Sequence, residues 1–177
     1  MKTYKTTYAG VLLALGVILP IIFHTIGGTA SGKTFLPMHI PVLLAGMLLG
    51  PVYGLVIGAL APVLSSFITG MPMMAILPAM VVELSIYGLV SGLVYHVCKF
   101  RKIKWGSVVT LIITMVVGRL LYALSLYIMI NWLGITLDKV SPVIVASVAG
   151  VYGIIIQLVF IPIIVKLAQK YFVVRYK

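Results

Sequence analysis

The sequence predicts an all-α integral membrane protein, a bundle of six transmembrane helices with both termini on the cytoplasmic side. Of its 177 residues, 63% are hydrophobic and only 8% are charged, whereas a soluble domain carries roughly 25% charged residues. Because so few charges cannot cover a water-facing surface, the excess apolar surface must face lipid. A helix needs about 20 apolar residues to span a bilayer. Six spans with short loops therefore fill residues 1–177 as a single transmembrane domain.

Six apolar segments, divided by polar or turn residues, follow one another along the chain. The runs are continuously apolar rather than alternating, which favours helices over membrane strands. Pro20 lies inside the first segment, where a membrane helix tolerates a kink. The Gly50-Pro51 pair is a turn signal between the second and third segments, and these two either both span or form a hairpin that spans only in part. The predicted spans are Tyr8–Gly28, Phe35–Gly50, Val52–Thr69, Met74–Cys98, Ser107–Leu133 and Pro142–Leu167.

The distribution of lysine and arginine predicts the orientation. Six spans place the N-terminal tail, the loop between the fourth and fifth segments, and the C-terminal end on one side, and these regions hold ten of the thirteen basic residues. The opposite side holds only Lys33 and Lys139. Since basic loops stay in the cytoplasm, the loops at Thr29–Thr34, Gly70–Met73 and Gly134–Ser141 are expected to face outside. The formal net charge of +11 is thus read as topology, and no nucleic acid partner is predicted.

No sequence motif predicts an enzyme. The chain has no HExxH or GxSxG pattern. The letters of Gly27–Thr34, GGTASGKT, do fit GxxxxGK[ST]. A P-loop joins a strand to a helix, whereas these residues follow an apolar membrane segment, so no ATP hydrolysis is predicted from them. Its single cysteine, Cys98, excludes an internal disulfide. His24 and His39, without a nearby Asp or Cys, do not make a metal site, and no cofactor is predicted. Energy for any active process must come from a partner or an ion gradient.

Glu83 and Arg119 are the residues whose positions in the sequence most require an explanation. Both lie well inside predicted spans, where a charged residue costs about 2.5–3.5 kcal/mol on insertion scales. One interpretation is an ion pair that holds two helices together. A second is a cavity in which one or both bind a polar solute, and the two can coexist. A proton relay through Glu83 is the third.

Further polar and aromatic residues are candidates for the same solute site. Tyr87 lies four residues after Glu83, and Tyr122 lies three residues after Arg119, so each pair shares a helix face. Packing or an interfacial position explains a single tyrosine equally well. Ligand cavities often combine a few polar groups with aromatic rings. The remaining predicted solute-binding residues lie near outer helix ends or in an outer loop: Lys33, His39, Asn131 and Trp132.

Small residues recur at a spacing of four along three predicted helices. Gly10 and Ala14 lie in the first segment, Gly54 and Gly58 in the third, and Gly88 and Gly92 in the fourth. This spacing lets helix backbones approach closely. The pairs therefore predict either packing inside the bundle or a docking surface for another membrane subunit.

Three stretches of sequence resemble the substrate-binding S components of energy-coupling factor (ECF) vitamin transporters. They are FLPMHIPVLLAGMLLGP (Phe35–Pro51), PVLSSFITGMP (Pro62–Pro72), and Glu83 with YGLVSG (Tyr87–Gly92). The length, the six helices and the cytoplasmic termini are similar as well. The specific part of the resemblance covers about residues 35–92, and the rest of the chain is similar only in architecture.

The resemblance implies a function and a set of partners. Such S components bind a micronutrient with high affinity at the outer face of the bacterial cytoplasmic membrane. They join a transmembrane coupling (T) subunit and two cytoplasmic ATPases, whose ATP hydrolysis topples the S component inward. The family docks through Ala-xxx-Ala on the first helix, matched here by Gly10 and Ala14 with one alanine replaced by glycine. The first outer loop, here Thr29–Thr34, acts as a lid.

The expected solute is a small water-soluble vitamin, with vitamin B6 or pantothenate favoured and folate or cobalamin as further members of the set. Arg119 suits a carboxylate or phosphate, unless Glu83 occupies it. The alternative function is a stand-alone secondary transporter that uses Glu83 as a proton site.

Overall fold

The computed structural model describes residues 3–103, 105–132 and 150–175, without the side chains of residues 29–33, 132 and 171–175. In these parts the chain is helical, with short turns between the helices. A π-helical turn, Leu93–Val97, continues α4, and a 3-10 turn, Phe100–Lys102, precedes α5. The six α-helices are α1 (Thr3–Phe35), α2 (His39–Leu49), α3 (Pro51–Thr69), α4 (Leu77–Gly92), α5 (Gly106–Trp132) and α6 (Val151–Arg175).

Five helices in the described parts of the chain are long and apolar enough to cross a membrane. They confirm an all-helical, multi-pass membrane protein. The predicted second span is shorter than expected, because α2 has 11 residues. At 1.5 Å per residue it covers about 16 Å, roughly half of the hydrocarbon core. A count of six full spans, and with it the placement of both termini in the cytoplasm, stays a prediction.

Two predicted boundaries were wrong at the start of the chain. The expected outer loop Thr29–Thr34 has helical backbone, because α1 continues to Phe35 after a break at Gly28. Gly28 has φ +66° and ψ −167°, a conformation that glycine adopts without strain. The second helix starts at His39, four residues later than predicted, after a turn in which Leu36 has φ +49°.

Of the other two predicted loops, the structure describes one. The loop Gly70–Met73 is confirmed as non-helical. There the Ser65 hydroxyl donates to the Met71 carbonyl at 2.9 Å, and the Ser66 hydroxyl donates to the Pro72 carbonyl at 2.8 Å. The predicted loop 134–141 and the first eight residues of the predicted sixth span lie outside the described residues.

Glycines bring α3 and α4 into backbone contact. A Cβ added at Gly88 would fall on the carbonyl of Gly54, and a Cβ at Gly58 would fall on the carbonyl of Leu84. A Cβ at Gly92 would overlap the backbone of Pro51. The two small-residue pairs in these helices therefore serve packing inside the bundle, which is one of the two interpretations that the sequence left open.

Helix α2 lies at the centre, with nine of its eleven residues buried. Its sequence is apolar on all sides, as expected of a helix surrounded by others. Basic groups from two other helices hold its C-terminal carbonyls. Lys5 Nζ of α1 donates to the Leu49 carbonyl at 3.2 Å, and His96 Nε2 lies 2.9 Å from the Met47 carbonyl. The Lys5 ammonium is favourable at this helix C-terminus because the last carbonyls carry partial negative charge.

Helix α6 is attached to the bundle near both of its ends. The Gln157 side-chain amide donates to the Leu36 carbonyl at 3.4 Å, in the turn before α2. Three turns further on, the Gln169 amide donates to the Tyr95 hydroxyl at 2.8 Å. Between these points, Ile161 and Val165 are fully buried in the main core.

Candidate functional site

The predicted contact between Glu83 and Arg119 is present in the structure. Arg119 Nη1 lies 3.1 Å from Glu83 Oε1, with side-chain exposures of 16% and 3%. Glu83 occupies the second turn of α4, and Arg119 lies near the middle of α5. The pair is therefore an ion pair between two membrane helices, removed from water on the carboxylate side.

His39 and Tyr87 complete a polar cluster around this pair. His39 Nε2 lies 3.9 Å from Glu83 Oε1, and the centroids of the His39 and Tyr87 rings are 5.1 Å apart. The Tyr87 hydroxyl lies within interaction range of both Glu83 and Arg119. We refer to His39, Glu83, Tyr87 and Arg119 as the charge cluster; three helices, α2, α4 and α5, supply it.

Sequence reasoning missed Gly118, which contacts this cluster, and Thr114 on the same face of α5. The Tyr87 ring packs directly on the backbone of Gly118, where a Cβ would overlap ring atoms. Thr114, one turn earlier on α5, is fully buried and its hydroxyl has no hydrogen-bond partner among the described residues. The available signal was the run Thr114, Gly118 and Tyr122 at a spacing of four, which marks one face of α5.

Tyr122 lies at the edge of the cluster, 5% exposed and within electrostatic range of Glu83 and Arg119. It packs in a second apolar group with Ala79, Leu126 and Met129. The structure thus places Tyr122 between the charge cluster and the apolar contact of α4 with α5.

Several buried polar atoms of the cluster have no hydrogen-bond partner among the described residues. These are Nε and Nη2 of Arg119, both ring nitrogens of His39, and Oε1 of Glu83, which lies 3.1 Å from Arg119 Nη1. Buried polar groups in folded proteins are nearly always paired, and an unpaired donor pays its full desolvation penalty. The cluster therefore offers more hydrogen-bonding capacity than the surrounding helices use, as a binding site for a polar solute requires.

Asn131, another predicted solute-binding residue, lies away from the charge cluster. Asn131 is exposed and donates to the Tyr127 carbonyl of its own helix at 2.9 Å. It lies twelve residues after Arg119, which is about 18 Å along a helix axis. The side chains of Lys33 and Trp132 lie outside the described residues, so their predicted roles stay predictions.

The two predicted docking residues lie on the outer surface of α1. Gly10 and Ala14 are both exposed, and a Cβ added at Gly10 would meet no atom within 4 Å. Large apolar neighbours share this exposure, including Val11 at 53% and Ile18 at 48%. In contrast to the glycines of α3 and α4, this small-residue pair has no partner helix in the described parts of the chain.

Two shallow clefts lie along the second half of α1, away from the charge cluster. One, of about 340 Å³, lies between α1 and the end of α3 and is lined by His24, Thr25, Thr69 and Met71 among others. The other, of about 280 Å³, is apolar and includes Phe23 and Phe35. Neither of these two clefts includes a residue of the charge cluster.

The fold and the site together define a class of protein: a small multi-pass helical membrane protein with a buried charged cluster between its helices. A family model described as "ECF transporter, substrate-specific component" matches residues 5–168. The chain belongs to this family, as its sequence motifs predicted. No curated protein and no solved structure matches the chain. Family membership makes the protein a substrate-binding component of a transporter rather than a catalytic subunit.

Proposed function

We propose that this chain is the S component of an ATP-driven ECF importer in the bacterial cytoplasmic membrane. In this proposal it captures a small water-soluble vitamin with high affinity from the outer side. Vitamin B6 and pantothenate are the favoured solutes, with folate and cobalamin in the wider set. The observation that carries the proposal is the charge cluster, where Arg119 and His39 keep buried nitrogen atoms without partners beside Glu83.

The exposed face of α1 supports the assignment of partners. Gly10 and Ala14 are open to close approach by another helix. The transmembrane coupling (T) subunit is the proposed occupant of this face, and two cytoplasmic ATPases bound to that subunit supply the ATP hydrolysis. No nucleic acid, cofactor or metal enters this mechanism.

The segment Thr29–Thr34 is the proposed lid over the bound solute. Its helical backbone follows the break at Gly28, so the segment can change direction relative to the rest of α1 by rotation at one glycine. We expect its amides to exchange more slowly with solvent deuterium when solute is bound. Equal exchange with and without solute, measured by mass spectrometry on the purified protein, would remove the lid from the proposal.

The decisive experiment is reconstitution with and without the ATPase partners. The solute is first identified by native mass spectrometry of the purified protein, and its uptake is then measured in proteoliposomes. Uptake that requires the coupling subunit, both ATPases and ATP supports the proposal. Uptake by the chain alone under a proton gradient supports the secondary transporter that uses Glu83 instead.

Matched variants test whether the cluster is the solute site. His39→Gln and Tyr87→Phe should weaken solute binding, because each removes a group from the cluster. The controls are His96→Gln and Tyr95→Phe. These residues are of the same types, and they bond to the Met47 carbonyl and the Gln169 amide, away from the cluster. Equal loss of binding in both sets would indicate general damage to the bundle rather than a solute site.

A further inference from the structure

The way in which Glu83 contacts Arg119 restricts the chemistry of the solute. The carboxylate approaches one terminal nitrogen of the guanidinium, Nη1, at 3.1 Å. The other side of the guanidinium, formed by Nε and Nη2, is buried and has no hydrogen-bond partner among the described residues. Glu83 therefore holds Arg119 in place and leaves one complete edge of its fork unused.

That unused edge is the edge that recognises planar anions. Nε–H and Nη2–H point in parallel, at the separation of the two oxygens of a carboxylate, so they form paired hydrogen bonds with it. A neutral alcohol or a single carbonyl offers one acceptor position and leaves the second donor unpaired. Because both donors are buried, water does not compensate for a ligand that satisfies only one of them.

We propose that the solute carries a carboxylate, and that Arg119 binds this group through its Nε–Nη2 edge while Glu83 acts as the positioning residue for the guanidinium. This inference rests on the proposed function and narrows it. Pantothenate and folate carry a carboxylate, and pyridoxine does not. The structure thus favours the acidic vitamins over the uncharged ones.

The test compares solutes that differ only in the acid group. Two pairs replace a carboxylate by a hydroxymethyl group: pantothenate against panthenol, and 4-pyridoxate against pyridoxine. Affinities of these four compounds, folate and cobalamin are measured by calorimetry on the full-length protein in lipid nanodiscs. We expect the tightest ligand to be a carboxylate, and the hydroxymethyl counterpart of an acid that binds to be weaker by at least about tenfold, as for the loss of a charged hydrogen bond.

Two arginine variants test which residue binds the solute carboxylate. Arg119→Lys keeps the positive charge beside Glu83 but lacks the two-donor edge, so the preference for the acid over its alcohol should fall by about tenfold. Arg101→Lys is the control, because Arg101 is exposed in the loop before α5 and should leave the preference unchanged. The acid-to-alcohol ratio of the wild-type protein remains informative even if Arg119→Lys does not fold.

The contrary outcomes separate this inference from the proposed function. Tightest binding of pyridoxine, panthenol or cobalamin overturns the carboxylate inference and leaves the vitamin-binding proposal standing. An undiminished acid preference in a folded Arg119→Lys protein overturns the assignment to Arg119. Failure of all six compounds to bind contradicts the vitamin-binding proposal and this inference with it.

Discussion

Removal of either charge of the Glu83–Arg119 pair should destabilise the protein, and removal of both should restore much of the stability. The two charged groups lie 3.1 Å apart, with the carboxylate side chain only 3% exposed. At that distance and an effective dielectric constant of about 20, their attraction is about 5 kcal/mol. A single variant loses this attraction and also leaves the other charge buried, for which losses of about 3–5 kcal/mol are typical.

The double variant Glu83→Gln/Arg119→Gln has neither charge of the pair, so its loss of unfolding free energy should be well below the sum of the losses in the two single variants. We expect a coupling free energy of about 2–3 kcal/mol, as found for residues in direct contact. The measurement is thermal unfolding in one detergent, followed by tryptophan fluorescence. Ser125→Ala is a control on the same helix. Its hydroxyl donates to the Tyr122 carbonyl of its own helix at 2.9 Å, so little change is expected.

Solute affinity in the same variants decides what the pair is for. If the cluster holds the solute, the double variant should bind about ten- to a hundredfold more weakly even when its stability has returned. Wild-type affinity in a stable double variant would refute this reasoning. It would leave the pair as a link between α4 and α5, with the solute bound elsewhere.

Three further predictions concern packing and docking. Gly10→Leu and Ala14→Leu add bulk on the exposed face of α1, so they should abolish ATP-driven uptake and leave solute affinity unchanged; uptake by a complex of normal composition would place the docking surface elsewhere. Gly88→Ala inserts a methyl group into the α3 backbone and should lower stability by about 1–3 kcal/mol or more, whereas Gly10→Ala, in open space, should not. His96→Ala leaves an α2 carbonyl without its donor and should cost about 1–3 kcal/mol; a loss no larger than that of His24→Ala, whose Nδ1 has no partner among the described residues, would show that this hydrogen bond contributes nothing.

The sequence predicts the helices well because the apolar runs are long, and it predicts their ends less well. Thr29–Thr34 looks like a loop, since its residues are small or polar and two glycines precede it. Its backbone is nevertheless helical as far as Phe35. Composition indicates where a chain can leave a helix. Whether it does so depends on contacts such as the hydrogen bond from Gln157 to Leu36, which join residues 121 positions apart.

The pairing of Glu83 with Arg119 was predictable from scarcity, because Glu83 is one of only two acidic residues in the chain and a lone charge at membrane depth needs a partner. The position of His39 beside this pair depends on the crossing of α2 with α4, which no local pattern encodes. The position of Asn131 depends on helix geometry instead. This residue is polar and lies on the same helix as Arg119, but the helical rise carries it away from the cluster.

Helix α2 connects the charge cluster to the first helix of the bundle. Its first residue, His39, belongs to the cluster, and its last carbonyls, those of Met47 and Leu49, bond to His96 and Lys5. A helix of 11 residues is a stiff rod of about 16 Å, so a shift at one end reaches the other. Lys5 belongs to the helix proposed to dock on the coupling subunit. A solute that displaces His39 would therefore also move the Leu49 carbonyl to which Lys5 of α1 is hydrogen-bonded. Under the proposed function such a connection is useful, because the coupling subunit must distinguish the occupied from the empty state.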